Sequence, residues 1–485
     1  MLDFITDNIW LVLLTINYVL VIGVAFLILL KNINPTKTVS YIIVLVFFPF
    51  LGLIVYYLFG QEYRKDKIFN RKHILNQRII ENVNQQLEPE KQEVKDLQDD
   101  ILEDRIKLVK LLQSSKESPL TMKNDVTIIK NGENKFKILL DDLKKAEDHI
   151  HMEYYILRDD KIGLKIIDIL CDKASKGVDV KLSIDDVGSS VTRKSKNRLT
   201  ESGVVWNSFM PVLFPGFTGK MNYRNHRKIA IVDGKIGYIG GINISDTYVN
   251  YEDSEEYWRD THLRIVGEAV KALQIHFLMT WEFVSRQNIK IRSNYFPNDK
   301  CDSDLAMQIA ASGPDTDWAN IMEVIFTAIV TSEKYVYLTT PYFVPNDQII
   351  TALQVASKSG VDVRLLIPKE SDSWTAKHAS NSYLECLMEA NVKIYRYCKG
   401  FIHAKTMVVD DMFSTIGTTN MDYRSFNINF EINAMMYDVE KSKELKSHFL
   451  EDLEDSEIID LDRWRNRSNF QKLKESYCRL WAPLL

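Results

Sequence analysis

Asn225-His226-Arg227-Lys228-Ile229-Ala230-Ile231-Val232-Asp233 and Ile402-His403-Ala404-Lys405-Thr406-Met407-Val408-Val409-Asp410 share one spacing, H-x-K-x-x-x-x-D. Each runs on into a glycine-bearing turn that ends in asparagine, Gly240-Gly241-Ile242-Asn243 and Gly417-Thr418-Thr419-Asn420. With 9 His, 61 Lys and Arg and 66 Asp and Glu in 485 residues, only about 0.15 matches are expected by chance, even when Arg and Glu count. Two copies that carry the same turn are therefore a repeat. Alternate side chains of a strand leave from one face, so His226 and Lys228 point into one site, as do His403 and Lys405. Asp233 and Asp410 leave from the opposite face beside a turn, where they are expected to brace the hairpin rather than touch a substrate.

The repeat extends beyond the motifs. Ala174-Ser175-Lys176-Gly177-Val178-Asp179-Val180-Lys181-Leu182 aligns with Ala356-Ser357-Lys358-Ser359-Gly360-Val361-Asp362-Val363-Arg364-Leu365 once Ser359 is taken as an insertion. Each half reads as strands alternating with helices and ending in the motif hairpin. The strands fall near Ile150 to Leu157, Asp179 to Ile184, Val204 to Phe209 and Lys228 to Asn243, and near Tyr335 to Phe343, Asp362 to Ile367, Val392 to Tyr397 and His403 to Asn420. Alternation of this kind implies an α/β fold with helices covering mixed sheets. A period this long is a domain duplication, not a solenoid. The simplest arrangement is two tandem domains, 119–300 and 301–485, related by a pseudo-twofold axis, with both motifs at one interface.

These motifs resemble the paired HKD motifs of the phospholipase D superfamily, whose members cleave or exchange phosphodiesters; the resemblance covers about residues 119 to 485. Several blocks are similar to bacterial cardiolipin synthases: Tyr257-Trp258-Arg259-Asp260-Thr261-His262-Leu263-Arg264, Pro341-Tyr342-Phe343-Val344-Pro345, Phe401-Ile402-His403-Ala404-Lys405 and Asn420-Met421-Asp422-Tyr423-Arg424-Ser425. Thr418 departs from the commoner Ser of the glycine turn but keeps the hydroxyl. The resemblance implies transfer of a phosphatidyl group between two phosphatidylglycerol molecules, giving cardiolipin and glycerol. It also implies a membrane lipid as partner and substrate.

A phosphodiester is anionic and resists attack, so its catalyst must neutralise oxygens, supply a nucleophile and protonate the leaving alkoxide. Lys228 and Lys405 suit the oxygens, aided by the amides of Asn243 and Asn420. Imidazole suits the other two roles because its pKa lies near neutrality. By analogy with the family, His226 is the nucleophile, forming a phosphatidyl-histidine, and His403 the acid and then the base, although the symmetry of the motifs admits the reverse. A carboxylate on the second ring nitrogen would fix each tautomer. Glu431 is the candidate in the second half, behind His403, and Asp260 the counterpart in the first half, behind His226. No cluster has metal-ligand spacing, so neither a metal nor a cofactor is expected.

Before the domains, Asn8 to Leu30 and Thr38 to Gly60 contain no charged residue, and each run is long enough to cross a bilayer. The segment 1–61 is therefore expected to be a two-helix transmembrane hairpin. Asp3 and Asp7 at its start have the wrong sign for a cleaved signal. Arg64, Lys65, Lys67, Arg71 and Lys72 follow the second run, against Lys31 and Lys37 between the two. That bias puts the catalytic part in the cytoplasm, in a bacterial inner membrane by resemblance. Trp10, Tyr56 and Tyr57 lie where interfacial aromatics belong. The charged connector 62–118 carries a stripe at Val94, Leu97, Ile101, Leu108 and Leu112, expected to pack on the catalytic body rather than on the membrane surface.

A net charge of −5 argues against a nucleic-acid partner, which usually leaves a basic footprint. The five cysteines are scattered and odd in number, as expected of reduced core residues. Phe209 to Phe217 is apolar and proline-rich, read equally as a lip for acyl chains or a buried loop. Leu480-Trp481-Ala482-Pro483-Leu484-Leu485 is expected to pack on the body. A phospholipase-type hydrolase, a transferase with another donor or acceptor, a nuclease and a non-catalytic membrane scaffold are the competing functions.

Overall fold

The computed structural model describes residues 9–30, 35–48, 50, 52–53, 87, 89, 91–113, 118–211, 223–287, 289–298, 301–314 and 320–482. The chain divides into two compact units, Met1–Arg71 with Val212–Met221 and Lys72–Pro211 with Asn222–Leu485. In the first, the uncharged run Ile9–Leu30 forms a helix of 22 residues. At 1.5 Å per residue it is about 33 Å long, enough to span a hydrocarbon core. The second charge-free run begins in the helix Pro35–Phe47; residues 54–60, with Tyr56 and Tyr57, lie outside the described residues. Among the described residues one helix, not the expected two, has the length and apolarity of a membrane span. Val21, Ile28 and Leu45 bury the contact between the two helices.

The second unit holds two large mixed sheets. The first contains β1 (Asn124–Lys130), β2 (His149–Tyr154), β3 (Asp179–Asp185), β4 (Val205–Phe209), β5 (Lys228–Val232) and β6 (Ile236–Gly240). After a short strand outside it, β7 (Trp258–Arg259), comes β8 (Thr261–Gly267), and the spatial order is β1-β8-β6-β5-β2-β3-β4. The second contains β9 (Ala306–Ser312) and β10 (Tyr335–Thr339); after β11 (Phe343–Val344), which lies outside, come β12 (Asp362–Pro368) and β13 (Lys393–Tyr397). Beyond β14 (Phe401–Ile402) it continues with β15 (Thr406–Val409) and β16 (Phe413–Gly417), and beyond β17 (Met421–Asp422) with β18 (Glu431–Tyr437) and β19 (Ser456–Ile458). Its order, β9-β18-β16-β15-β10-β12-β13-β19, repeats the first and adds one edge strand. The strands expected from sequence occupy the middle and one flank of each sheet. The pairs β1/β8 and β9/β18 on the other flank were not anticipated.

Strand alternation decides how the sheets stack. Ile229, Ile231 and Ile239 point into a core shared with Ile309, Val408, Ile416 and Ile432 of the other sheet, which the helix Ala269–Ser285 also enters. Ala230 and Val232 face the outer helices of the first half, and Met407 and Val409 those of the second. Full burial of each such isoleucine is worth about 1.5–3 kcal/mol, so the motif hairpins are clamped from both faces. In the connector, Leu97, Leu108 and Leu112 are buried against the second half. The chain there passes from the helix Lys91–Leu97 through a π turn and a 3-10 turn to the helix Lys107–Gln113. Of the terminal segment expected to pack on the body, Ala482 is buried in the core of the second half, whereas Leu480 and Trp481 are 76% and 46% exposed. Residues 483–485, and 212–217 of the apolar lip, lie outside the described residues.

Candidate active site

The two hairpins turn in the same way. Asp233 and Gly234 both have positive φ, 53° and 65°, and so have Asp410 and Asp411, at 53° and 57°. Such paired left-handed residues match the twist of a tight hairpin. The Asp233 carboxylate accepts the backbone N–H groups of Glu147, Asp148 and His149 at 2.8–2.9 Å. Asp410 accepts those of Glu333, Lys334 and Tyr335, all at 2.8 Å, and pairs with Arg105 of the connector at 3.0 Å. Each motif aspartate thus fastens its hairpin to the start of the neighbouring strand, β2 or β10. Neither lines the cavity.

His226 and His403 precede β5 and β15 and line one cavity of about 620 Å³. Their main chains are held by the opposite half: the His226 amide donates to Phe430 O at 3.0 Å and the His403 amide to Arg259 O at 2.7 Å. Strand β14 pairs in parallel with β7, Phe401 against Trp258 and Ile402 against Arg259. Asn225 bridges to Phe430 in the same sense. Continuing each pairing by one residue brings Asp260 to His403 and Glu431 to His226. The His226 Nδ1 lies 3.0 Å from both Glu431 oxygens, and the His403 Nδ1 lies 2.7 Å from Asp260 Oδ2. The expected assignment is therefore corrected: each carboxylate serves the histidine of the other half. The reason is the pair of ribbons that cross between halves, which spacing along the chain does not reveal.

The two carboxylates are braced differently. Glu431 Oε2 accepts the Thr418 hydroxyl at 2.5 Å, so the residue standing for the usual serine acts on the orienting group. In the first half the equivalent position is Gly241, where a Cβ would sit 2.2 Å from Asp260 Oδ1. Asp260 needs that space, and its Oδ1 takes the Thr261 amide at 2.7 Å. Arginine holds the backbone of both: Arg259 Nη1 donates to Asp260 O and Arg227 Nε to Glu431 O.

Lys228 and Lys405 are buried, and each amine donates to the carbonyl of its own motif histidine, at 2.7 and 2.5 Å. Burial depresses Lys228 well below the usual lysine value and pushes Lys405 down to about 8. Burial also pushes His226 down to about 4, with Glu431 opposing and both lysines assisting. His403 falls to about 3 through burial and Lys405, with Asp260 opposing and Lys228 assisting. Each imidazole thus feels the lysines of both motifs, the electrostatic mark of one site. Burial works against ionisation of Glu431, yet His226, Lys228 and the Thr418 hydroxyl hold its carboxyl below the usual range. A carboxylate at Nδ1 of a neutral imidazole places the proton there and leaves the Nε2 lone pair for chemistry.

Asn243 and Asn420 also line the cavity. Asn243 accepts the Ile156 amide at 3.1 Å and donates to the Tyr248 hydroxyl at 2.8 Å, which fixes its orientation. Sequence reasoning did not single out several other lining groups: Tyr155, Arg158, Tyr248, Trp258, Tyr342, Asp372, Asp422 and Arg424. Trp258, Tyr342, Asp422 and Arg424 sit inside the blocks quoted above, so their signal was present. Tyr155 meets the His226 ring edge-on at 5.0 Å, and Tyr248 the His403 ring at 5.5 Å. Both Asp372 oxygens accept the Tyr342 hydroxyl, at 2.7 and 2.8 Å. Burial raises Asp422 to about 6. The cavity therefore offers two nucleophilic nitrogens, five basic side chains in or beside it (Arg158, Arg224, Arg424, Lys228 and Lys405) and a carboxylate–tyrosine corner.

Residues 139–281 and 325–453 match the family described as "Cardiolipin synthase, PLD-like domain", and residues 19–61 match "Phospholipase_D-nuclease N-terminal". The chain is 39% identical over 467 residues to a cardiolipin synthase of Alkalihalophilus pseudofirmus, covering 96% of this chain and 92% of that one. It is 40% identical over 461 residues to cardiolipin synthase 2 of Bacillus anthracis, covering 94% and 88%. Among solved structures its fold is similar to a phosphatidylserine synthase of Haemophilus influenzae, with a TM-score of 0.60 at 14% identity over 78% of this chain and 100% of that one.

Proposed function

The chain belongs to the cardiolipin synthase family of phospholipase D-like phosphatidyltransferases, and we propose that its cavity joins two phosphatidylglycerol molecules through a phosphatidyl-histidine. The observation that carries this reading is the presence of both imidazoles on one cavity wall, each with its Nδ1 on a carboxylate from the opposite half. The Nε2 lone pair of His226 attacks phosphorus, and the bond to the departing glycerol oxygen breaks. His403, protonated once the anionic phosphodiester has raised its basicity, gives that oxygen its proton. Lys228 and Lys405 offset the charge on the non-bridging oxygens, with the Asn243 and Asn420 amides beside them. In the second step His403 takes the proton of an incoming hydroxyl, whose oxygen displaces His226 from phosphorus.

The acceptor in this reading is itself a phosphodiester with a polyol head, and residues of the cavity suit each part. Asp372, already held by Tyr342, suits glycerol hydroxyls that donate. Arg158 lines the same cavity with no carboxylate at ion-pair distance among the described residues, beside the hydroxyls of Ser245 and Thr247. Its neighbours Asp159 and Asp160 are occupied by the amides of Thr192, Gly163 and Asp246. Arg158 is therefore suited to the acceptor phosphate.

The basic flank after the second charge-free run supports a two-span hairpin with the catalytic domains in the cytoplasm, in the inner membrane of a bacterium. Protease accessibility from either side of sealed vesicles tests that orientation. Incubation of the purified chain with labelled phosphatidylglycerol, followed by separation of the lipids, tests the chemistry. Cardiolipin with equimolar glycerol is expected. Phosphatidic acid without cardiolipin would replace transfer by hydrolysis, and a product formed only with ethanolamine or serine lipids would replace the acceptor.

A further inference from the structure

The helix Asn469–Arg479 leaves most of its apolar side chains outside. Its buried side carries Cys478 and Glu475, the latter 2% exposed and paired with Arg467 at 3.0 Å. Its apolar residues Phe470, Leu473 and Tyr477 recur at helical spacing on one face and are 67%, 65% and 55% exposed. Leu480 and Trp481 extend that face into solvent. Burial in the core would gain about 1.5–3 kcal/mol per side chain, so a contiguous patch left outside marks an interaction surface.

Three observations say what covers it. The charges remaining at the surface of this helix, Lys472, Lys474 and Arg479, are all basic, since its one carboxylate is taken by Arg467. The patch is rich in aromatic rings flanked by lysine and arginine, the composition of a segment lying at headgroup level with its basic stems reaching to the phosphates. It also continues to the cavity. Trp374, 56% exposed, meets His378 edge-on at 4.6 Å, and His378 Nδ1 lies 3.3 Å from Gln471 of the outer helix. The neighbours Ser373 and Ala376 form part of the cavity wall.

We propose that the face formed by Trp374, Phe470, Leu473, Tyr477, Leu480 and Trp481 docks onto an anionic phospholipid bilayer and brings the cavity mouth to the headgroups it uses. The choice of phosphatidylglycerol as that lipid rests on the phosphatidyl-transfer reading; the existence of the face does not. The apolar helix Ile9–Leu30, long enough to span a bilayer, belongs to the other compact unit.

The test uses the full chain in phosphatidylglycerol vesicles whose acyl chains carry bromine, which quenches nearby tryptophan. The quenched fraction of emission is expected to fall in Trp481→Phe; equal quenching in wild type and variant would overturn the proposal. In parallel, the triple variant Phe470→Ser, Leu473→Ser, Tyr477→Ser is assayed for cardiolipin. A loss of about tenfold is expected in vesicles, with activity in detergent–lipid micelles kept within about twofold. Loss in both media would assign the face to the fold, loss in neither would leave it no role, and a smaller particle mass for the variant in detergent would assign it to a second copy; each overturns bilayer docking. Wild type that makes no cardiolipin in either medium would instead sink the transfer reading, while the quenching still decides the docking.

Discussion

Asp260→Asn and Glu431→Gln remove the same charge from two surroundings that are not equivalent. Glu431 faces His226 with both oxygens at 3.0 Å and the Thr418 hydroxyl with one of them. A glutamine can turn its amide towards Thr418, which redirects its own proton to Ile432 O, and keep its carbonyl on the His226 Nδ1–H. The tautomer survives and only the charge is lost. A hydrogen bond to a charged group is worth about 1.5–3 kcal/mol, so Glu431→Gln is expected to slow transfer about 10- to 150-fold. Asp260 has no such freedom, because Oδ1 takes the Thr261 amide and Oδ2 faces His403. The asparagine carbonyl goes to Thr261, and the amide then points at the His403 Nδ1, where it disfavours the imidazolium that must donate. A wrong-tautomer penalty of about 10⁴ is expected.

The crossed pairing gives this comparison a signature that severity alone lacks. A p-nitrophenyl ester of phosphatidic acid releases a leaving group that needs no proton, so its first-turnover burst bypasses the acid but still requires the nucleophile. With His226 attacking and His403 donating, Asp260→Asn and His403→Ala are expected to recover the burst to within about tenfold of wild type. Glu431→Gln is expected to keep its deficit, and His226→Ala to show no burst. If His403→Ala is rescued while Glu431→Gln recovers and Asp260→Asn does not, the carboxylates act within their own halves and the crossed pairing has no chemical meaning.

Other consequences follow from the same geometry. Asp410→Ala strips three backbone amides of their acceptor, while Arg105 keeps Glu333 and Thr331 O, and is expected to cost about 3–5 kcal/mol of stability. Thermal unfolding reads this, and an unchanged transition would deny the bracing role. Both histidines lie far below neutrality, at about 4 and about 3, and an anion between them raises them. Binding of glycerophosphoglycerol at pH 7 should therefore take up protons and strengthen as pH falls. Calorimetry in two buffers of different ionisation heat measures the uptake, and identical heats would refute it. Arg158→Ala is expected to lower the ratio of cardiolipin to phosphatidic acid about 10- to 100-fold while glycerol release persists, with Arg158→Lys between the two. A ratio equal to wild type would remove Arg158 from the acceptor site.

The hairpins were legible because everything that defines them is local: the alternation around Ile229 and Ile231, the turn residues Asp233-Gly234 and the spacing of His to Lys. Their repetition carried the fold class as well. The outer helix Asn469–Arg479 shows where such reading stops, since periodicity groups Phe470, Leu473 and Tyr477 on one face without saying whether that face meets core or water. The flanking strands β1 and β9 were missed because each forms by pairing with a strand far along the chain, β8 and β18, rather than with a sequence neighbour.

The orienting carboxylates were found by residue type and misassigned by place, for a reason that bears on how the site works. Asp260 immediately precedes β8 and Glu431 begins β18, next to the hairpin strands β6 and β16 of their own halves, so distance along the chain argues for local service. What overrides it is the pairing of Phe401-Ile402 with Trp258-Arg259 and of Asn225 with Phe430, contacts that exist only once the halves have docked. Before docking, each half has a histidine without its carboxylate and a carboxylate without its histidine. Neither imidazole then has a fixed tautomer, and neither lysine has the second motif's charges beside it. The chemistry is therefore switched on by the same face-to-face burial of Ile229, Ile231, Val408 and Ile416 that stabilises the fold. A substitution that loosens that shared core should lower activity before it lowers helix content.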